Sequence, residues 1–581
     1  MKTPRTSVER TLMSWDGTQL SYRAWLPFDP EGTSGLRKAL VLFHRGHEHG
    51  GRWQDVVDAL DLDDVAVFAW DARGHGRSSG ERGAADSVAA LVKDADVFVS
   101  HIMSEHAIRM EDIIVVGHSV GGVIAAAWVH DFAPPIRGLV LATPAFRVKL
   151  YVPGAIPLLR TREALLGSGF VKSYVKAHLL THDAAEAERY RSDALIFRQI
   201  AVNMLLDLHD TSRRLVADAG AIHTPTLMLA AGQDWVVRLD AQQQFFKGLS
   251  SPVKEMHVYP GFFHAIFHER DRAAPIARTR AFIKARFAEE TTTPSLLNAD
   301  SSGYTKIEHD RLRAGGGRAY LPVRWAMNTI GRLSEGMRLG WQTGFDSGLT
   351  LDYVYEDRAR GITPVGRLID RAFLSNVGWR GIRQRRINLE HTLQAAVARV
   401  HGTRRAPHVL DIAAGPGRYV LEALRTLPEP VTAELRDSRE ENLAAGRRLS
   451  TQLGVRGVSF ARGDAFDPRS IAATERRPNV AIVSGLYELF PDNARVLTSL
   501  RGLADVVEPG GYLIYTNQPW HPQLEFIART LINREGQPWI MRRRTQAEMD
   551  ELVSAAGFRK VSTEIDRWGI FTVSLAERVA A

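Results

Sequence analysis

At 581 residues, with 45% hydrophobic and 24% charged positions, the chain has the balance of an ordinary soluble globular protein and more length than one core usually supports, so two domains are expected. The absence of cysteine excludes disulfides, cysteine-zinc sites and thiol catalysis. Residues 1–30 lack a signal-peptide core and no apolar run approaches about 20 residues, so the expectation is a cytoplasmic protein whose membrane contact, if any, is peripheral; the net charge of +8 suits an acidic partner such as anionic lipid, although excess arginine more often makes a solvated surface.

In chain order, Ala39-Leu-Val-Leu-Phe-His44 reads as a strand running into the loop Arg45-Gly-His-Glu-His-Gly-Gly-Arg52. Val65–Trp70 is the next strand and leads into Asp71-Ala-Arg-Gly-His-Gly-Arg-Ser78; a helix is expected over 84–101. Ile113-Ile-Val-Val is then a buried strand that feeds the turn Gly117-His-Ser-Val-Gly121 and a helix through Val129. Ser119 therefore stands at a strand-to-helix elbow with its hydroxyl exposed at the sheet edge. After the strand Gly138–Ala142 the alternation stops: residues 145–220 are helix-rich without an obvious strand, and only Pro225–Ala230 resumes the pattern. Strands alternating with helices predict a mostly parallel sheet covered on both faces, and the interruption reads as a lid over its carboxyl edge. The segment Ala145–Arg162 mixes Phe146, Leu150, Tyr151, Val152, Ile156, Leu158 and Leu159 with Arg147, Lys149, Arg160 and Arg162, a composition suited either to sheltering an acyl chain and touching anionic headgroups or to a lid with its own core and a wet cationic face.

The loop His44–Trp53, the segment Asp71–Gly80 and Gly117–Gly122 together resemble an α/β-hydrolase of the monoacylglycerol lipase and lysophospholipase branch, over a first domain of residues 1–288. The family has a second small residue after the loop histidine where this chain has Arg45. A serine nucleophile needs a base, and the base needs a carboxylate to fix its tautomer. His264, after the strand Val253–Tyr259, and Asp234, after the strand ending at Ala230, follow Ser119 in the order this fold uses. His268 and Asp240 compete for these roles but sit a helical turn or more beyond their loops. The oxyanion donors are expected to be the backbone N–H groups of Gly46 and Val120.

Residues 289–305 change to threonine, serine, proline and acid, and read as a linker. Residues 306–405 follow as helical patterns rich in arginine, including Gly381-Ile-Arg-Gln-Arg-Arg386, where solvated helix faces are favoured over a nucleic-acid surface. From 406 the strand-helix alternation returns. The strand at His408–Asp411 enters the glycine turn Ala413-Ala-Gly-Pro-Gly417, a second strand ends at Asp437, a third at Asp464, and a fourth runs through Val480–Val483 to Ser484.

This set resembles a class I S-adenosylmethionine-dependent methyltransferase with a Rossmann-like sheet over 406–581. The resemblance implies that Asp411 and Gly415 to Gly417 hold the methionine end, with Ala413 standing where the family has its first glycine. It further implies that Asp437 holds the ribose hydroxyls, and that Asp464 with the Ala465 N–H holds the adenine, with Ser484 after the fourth strand. A nicotinamide dinucleotide is disfavoured because the Gly-x-Gly-x-x-Gly spacing is missing. No metal ligands are expected. The order of the two domains resembles the bacterial hydrolase/methyltransferase proteins of the YnbC type, to which Asn517–Gln523 and Trp568–Ser574 also correspond. The expectation is thus an α/β protein, bifunctional, acting on a small lipid or ester. Its alternatives are an esterase with a non-catalytic cofactor-binding domain, and a nucleic-acid methyltransferase with a degenerate hydrolase.

Overall fold

The computed structural model describes residues 4–27, 37–290, 294–427 and 430–579. The chain forms two compact units, Met1–Pro294 and Ser295–Ala581. In the first unit the strands are β1 (Val8–Met13), β2 (Gln19–Trp25), β3 (Ala39–Phe43), β4 (Ala66–Trp70), β5 (Ile113–His118) and β6 (Gly138–Ala142); β7 (Phe170–Lys172) and β8 (Gln199–Ala201) lie apart, and β9 (Thr226–Ala231) and β10 (Lys254–Tyr259) complete the main sheet. Its order is β1-β2-β4-β3-β5-β6-β9-β10, antiparallel at the β1–β2–β4 edge and parallel elsewhere. β3, β4, β5, β6 and β9 are buried along their whole length, which is why they read as continuous apolar runs rather than alternations. The helix expected from residue 84 instead spans Val88–His106, because the Ser87 side chain accepts from the Ala90 N–H and sets its start there.

Between β6 and β9 lie the helices Ala155–Leu166, Ala184–Ser192 and Val202–Ala217. The insertion is not purely helical: β7 and β8 pair antiparallel within it. Three-residue strands are too short to show a period, so no pattern announced them.

The second unit holds β11 (His408–Asp411), β12 (Thr432–Asp437), β13 (Val458–Arg462), β14 (Val480–Val483), β15 (Tyr512–Asn517), β16 (Phe558–Ile565) and β17 (Thr572–Arg578). The order is β13-β12-β11-β14-β15-β17-β16, parallel except that β17 runs against both neighbours. Strand order reverses between β11 and β14, so the crevice at their carboxyl ends is where such a sheet takes a ligand.

Two expectations need correction here. Residues 295–305 are not a linker. The Leu296 N–H donates to Glu551 at 2.7 Å, Asp300 accepts from the Asn493 N–H at 2.7 Å, and the helices Ala299–Ser302 and Tyr304–Arg313 begin there. Polar side chains that suggest a linker by composition are spent on fixed partners; residues 291–293 lie outside the described residues. Nor do the arginines of Gly381–Arg386 form a free basic face. Arg385 pairs with Glu488 at 3.3 Å, Arg386 with Glu422 at 2.7 Å and Arg383 with Asp357 at 3.4 Å. The helices of 306–405 bury Tyr353, Phe373 and Trp379 in one cluster with Leu524, Met541 and Phe571, so they belong to the core of the second unit. Among the described residues, no helix is long and apolar enough to cross a membrane.

Candidate active sites

In the first unit β5 ends at His118 and the chain turns sharply at Ser119, whose φ of 56° and ψ of −114° no ordinary serine adopts. The strain is held from outside. The Ser119 N–H donates to the Ala142 carbonyl at 2.9 Å, and the Ser119 carbonyl accepts from the N–H groups of Gly122, Val123 and Ala145. Position 121 must be glycine, because a Cβ there would stand 2.3 Å from the Phe43 carbonyl oxygen.

His264 follows β10 and Asp234 follows β9, and because these strands are parallel neighbours both side chains emerge at the same edge as Ser119. His264 Nε2 lies 2.8 Å from Ser119 Oγ, and His264 Nδ1 lies 2.8 Å from Asp234 Oδ2. The other carboxylate oxygen accepts from the N–H groups of Val236 at 2.7 Å and Val237 at 2.9 Å. Burial opposes the charge on Asp234, but His264 and these two donors outweigh it and hold the carboxyl below its ordinary range. The two competitors take no part. His268 Nε2 bonds the Arg52 carbonyl at 3.0 Å and is pushed down to about 3 by burial and by Arg45, so it is neutral; Asp240 is exposed near Arg147 and Arg238.

Gly46 and Val120 meet at the floor of a cavity of about 430 Å³ that also contains Ser119 and His264. A Cβ at Gly46 would stand 3.0 Å from Val120 Cγ2, so the two backbones face the same space. The insertion walls it with Leu150, Leu158, Leu159, Tyr174 and Leu208. Of the apolar groups of Ala145–Arg162, Phe146 is buried and stacked on Phe245 with ring centroids 4.2 Å apart, while Tyr151, Val152 and Leu158 are more than half exposed. Of the expected free cations, Lys149 donates to the Asp234 carbonyl and Arg160 to Asp210 at 2.6 Å. Arg45, the residue out of keeping with a glycine-rich loop, is buried. Its Nε donates to Glu48 at 2.9 Å, Glu48 lies 3.9 Å from Arg52, and Arg52 pairs with Glu186 of the insertion.

In the second unit a cavity of about 470 Å³ opens at the carboxyl ends of β11, β12, β13 and β14. Ala413, Gly415, Gly417, Asp437, Asp464, Ala465 and Ser484 all line it. Gly417 has φ of +74° at the start of the helix Arg418–Thr426, and a Cβ there would strike Leu435 Cδ1 at 2.5 Å. Asp437 Oδ2 accepts from the Gly415 N–H at 3.0 Å, which draws the glycine turn onto the end of β12. Asp464 Oδ1 accepts from the Phe466 N–H at 2.9 Å. Glu434 faces away and pairs with Arg436, donor to acceptor 2.6 Å.

Asp411 departs from the expected role. It is fully buried and does not line the cavity; its carboxyl accepts from the Ala413 N–H at 3.1 Å and from the Tyr419 hydroxyl. Burial raises it to about 7. It stiffens the turn from behind rather than touching a ligand. Other wall residues were not legible from motifs: Asp346, Leu351, Tyr355 and Arg385 come from the helical segment, and Phe466, Phe490 and Arg495 close the end beside Asp464, with the Arg495 guanidinium 4.2 Å and 4.3 Å from the two ring centroids. A glycine cradle, a carboxylate at the second strand end and an aromatic wall beside the third, where Phe466 and Phe490 pack edge-on, fit a nucleoside with an amino-acid tail. Among the described residues, no group of three or more His, Asp or Glu could hold a metal ion.

Comparison with known proteins also divides the chain into two parts. The family model described as "Putative methyltransferase" matches residues 279–578, and that described as "Serine aminopeptidase, S33" matches residues 34–271. The Escherichia coli protein YnbC is 48% identical over the full length of both chains. A monoacylglycerol lipase of Mycolicibacterium smegmatis is 25% identical over 46% of this chain and 93% of its own. Among solved structures, the Paleococcus ferrophilus monoacylglycerol lipase is 21% identical, covering 48% of this chain and 99% of that one with a TM-score of 0.40.

Proposed function

The chain belongs to the YnbC-type family, an α/β-hydrolase unit followed by a methyltransferase unit, and from that premise we propose a bifunctional enzyme that hydrolyses acyl esters of the monoacylglycerol or lysophospholipid kind and transfers methyl groups from S-adenosylmethionine. The observation that carries the hydrolase half is the continuous hydrogen-bonded line Asp234–His264–Ser119, with 2.8 Å at each step, opening into an apolar cavity. Ser119 Oγ attacks the ester carbonyl while His264 Nε2 takes its proton. Asp234 holds the proton on Nδ1, so that Nε2 is the free acceptor. The N–H groups of Gly46 and Val120 receive the oxyanion, and His264 then returns the proton to the leaving alcohol. Water repeats the sequence on the acyl-enzyme and frees the acid.

In the second unit the sulfonium of S-adenosylmethionine supplies an activated methyl group by direct displacement. The chain's contribution would be positioning: Gly415 and Gly417 would admit the amino-acid tail, Asp437 would accept from the ribose, and Asp464 beside the Phe466 and Phe490 wall would take the adenine. Asp411 acts only through the turn it braces. A cytoplasmic, membrane-peripheral location suits a lipid substrate and a chain with no spanning helix among its described residues.

The test is paired. Wild-type protein should hydrolyse a monoacylglycerol and Ser119→Ala should not; calorimetry should detect binding of S-adenosylmethionine in both. Absence of either activity in wild type removes the corresponding half of the proposal.

A further inference from the structure

A second cavity, of about 350 Å³, adjoins the first in the methyltransferase unit; Asp346, Leu351, Arg385 and Gly485 line both. Its walls are mostly apolar, with Phe373, Trp379, Ile382, Ile527, Trp539 and Met541 among them. Of the polar side chains among them, Asp346 is taken up by Arg534, while Arg385, Glu488, Gln518 and His521 are each at least nine-tenths buried. Three of their atoms have no hydrogen-bond partner: Arg385 Nε, Glu488 Oε2 and Gln518 Nε2. Folded proteins rarely leave buried polar atoms unpaired, and such atoms lining a cavity point to a ligand that pairs them. His521 adds a donor of known sense. Its Nδ1 accepts from the Gln523 N–H at 3.0 Å, so in the neutral ring the proton sits on Nε2, and burial pushes the ring down to about 3, keeping it neutral. The lining therefore offers one carboxylate acceptor and several donors at one place in an apolar chamber. That set matches a head that both donates and accepts, such as a hydroxyl, attached to an apolar tail.

The outer wall of the chamber points to where such a molecule comes from. Met327 on the helix Leu321–Asn328, and Ile369 and Phe373 on the helix Pro364–Leu374, line it. The same two helices leave Leu321 60%, Trp325 65%, Val365 57% and Leu368 72% exposed. From Arg311 to Ser334 the sequence carries five arginines and no acid. Large exposed apolar groups interleaved with cations are what an anionic bilayer surface binds.

We propose that this chamber is the methyl-acceptor site, that it takes a single-chain amphipathic lipid with its hydroxyl between Glu488 and His521, and that the lipid enters from an anionic bilayer across the two helices. This rests on the methyltransferase reading above. In the transfer a bond forms between the hydroxyl oxygen and the methyl carbon, the methyl–sulfur bond breaks with its electron pair going to sulfur, and the hydroxyl proton passes to Glu488 Oε2.

The experiment is photo-crosslinking of the full-length Ser119→Ala protein with a lauroyl lysophosphatidylglycerol carrying a diazirine in its chain, followed by peptide mapping. One arm presents the probe as dispersed monomer, the other in phosphatidylcholine/phosphatidylglycerol vesicles. Adducts are expected on peptides containing Met327, Trp379 and Met541. Ala372 lies at the exposed mouth, so Ala372→Trp should plug it without unfolding the unit and cut those adducts about tenfold, while adducts in the hydrolase cavity of the same molecules stay constant. Ile369→Glu, at the same wall, should act alike. Trp325→Asp with Leu368→Asp should cut chamber adducts by about tenfold or more in the vesicle arm and leave the monomer arm unchanged. No chamber adducts in wild type, or adducts indifferent to both plugging variants, would overturn the site; equal vesicle labelling by the double aspartate variant would overturn entry from the bilayer. Calorimetry on the same samples separates the premises. Binding of S-adenosylmethionine without chamber adducts sinks this inference alone, and adducts without such binding sink the methyltransferase reading with it.

Discussion

Replacing Asp234 by asparagine tests the hydrolase mechanism more sharply than removing it, because the surrounding donors dictate which way the amide turns. Oδ1 accepts from the N–H groups of Val236 and Val237 at 2.7 Å and 2.9 Å, and Oδ2 faces His264 Nδ1 at 2.8 Å. An amide nitrogen at the Oδ1 position would oppose two backbone donors, which forces the asparagine oxygen there and the NH2 toward Nδ1. Nδ1 must then accept, so the imidazole proton moves to Nε2 and points at Ser119 Oγ, 2.8 Å away. The base is occupied before it can act. A wrong tautomer of this kind costs roughly 10⁴-fold in kcat, or about 5.5 kcal/mol of transition-state stabilisation. The assay is kcat for a short-chain p-nitrophenyl ester, alongside a thermal melt to show the unit still folds. A folded Asp234→Asn variant that keeps a tenth or more of wild-type kcat would refute the tautomer argument, and with it the role given to Asp234.

Ser119→Ala and His264→Ala should each remove ester hydrolysis by several orders of magnitude, whereas His268→Ala should spare it because His268 bonds the Arg52 carbonyl and not the nucleophile; a kinetic comparison of the two histidine variants checks this. Asp437→Ala should weaken S-adenosylmethionine binding roughly 10- to 150-fold in calorimetry, and Glu434→Ala, whose partner is Arg436, should change it little. Asp411 has a folded pKa of about 7 against an unfolded value near 3.8, so the folded state holds the extra proton between them; stability of the second unit is then fully present at low pH and falls as pH rises toward 7, by up to about 1.4 kcal/mol per pH unit. Asp411→Asn should flatten that slope in the unfolding transition that S-adenosylhomocysteine shifts. Arg45→Ala leaves Glu48 buried with only Arg52 at 3.9 Å and should destabilise the first unit by about 3 kcal/mol in urea titration, while adding Glu48→Ala should recover part of the loss.

What the sequence disclosed about this chain follows how local each signal is. The elbow at Ser119 and the glycine turn at Gly415–Gly417 are set by a strand, a turn and a helix contiguous in sequence, so their motifs carry their geometry. Asp234, His264 and Asp464 stand past strand ends and Asp437 at one, and parallel pairing brings strand ends to one edge of each sheet, so order along the chain was enough to bring them together. Asp411 was misjudged for the opposite reason. It is the last residue of β11, and whether a strand-end acid faces the ligand or the core depends on one residue of register; the Tyr419 hydroxyl, eight residues on, takes it inward. Tyr355, Arg385 and Arg495 were out of reach altogether, because they arrive from helices whose packing no short motif records.

The arginines show the same limit in another form. A count of 74 basic residues against 66 acidic ones says how much charge is left over but not which residues hold it. In the cluster Arg383, Arg385 and Arg386 the charge is matched by Asp357, Glu488 and Glu422 from elsewhere in the unit, with Glu390 one helical turn on as a second partner of Arg386. Arg542 and Arg544 are likewise buried beside Glu548, with Arg544 also donating to the carbonyls of Tyr487 and Phe490. Of these cations Arg385 lines both ligand cavities, and the others are spent on partners within the unit. Part of the surplus falls instead from Arg311 to Ser334, a run with no acid of its own, among exposed Leu321, Val323, Trp325 and Ile330. A bilayer surface that is both anionic and apolar would take up the cations and the exposed apolar groups of that face together, as the proposed entry route requires.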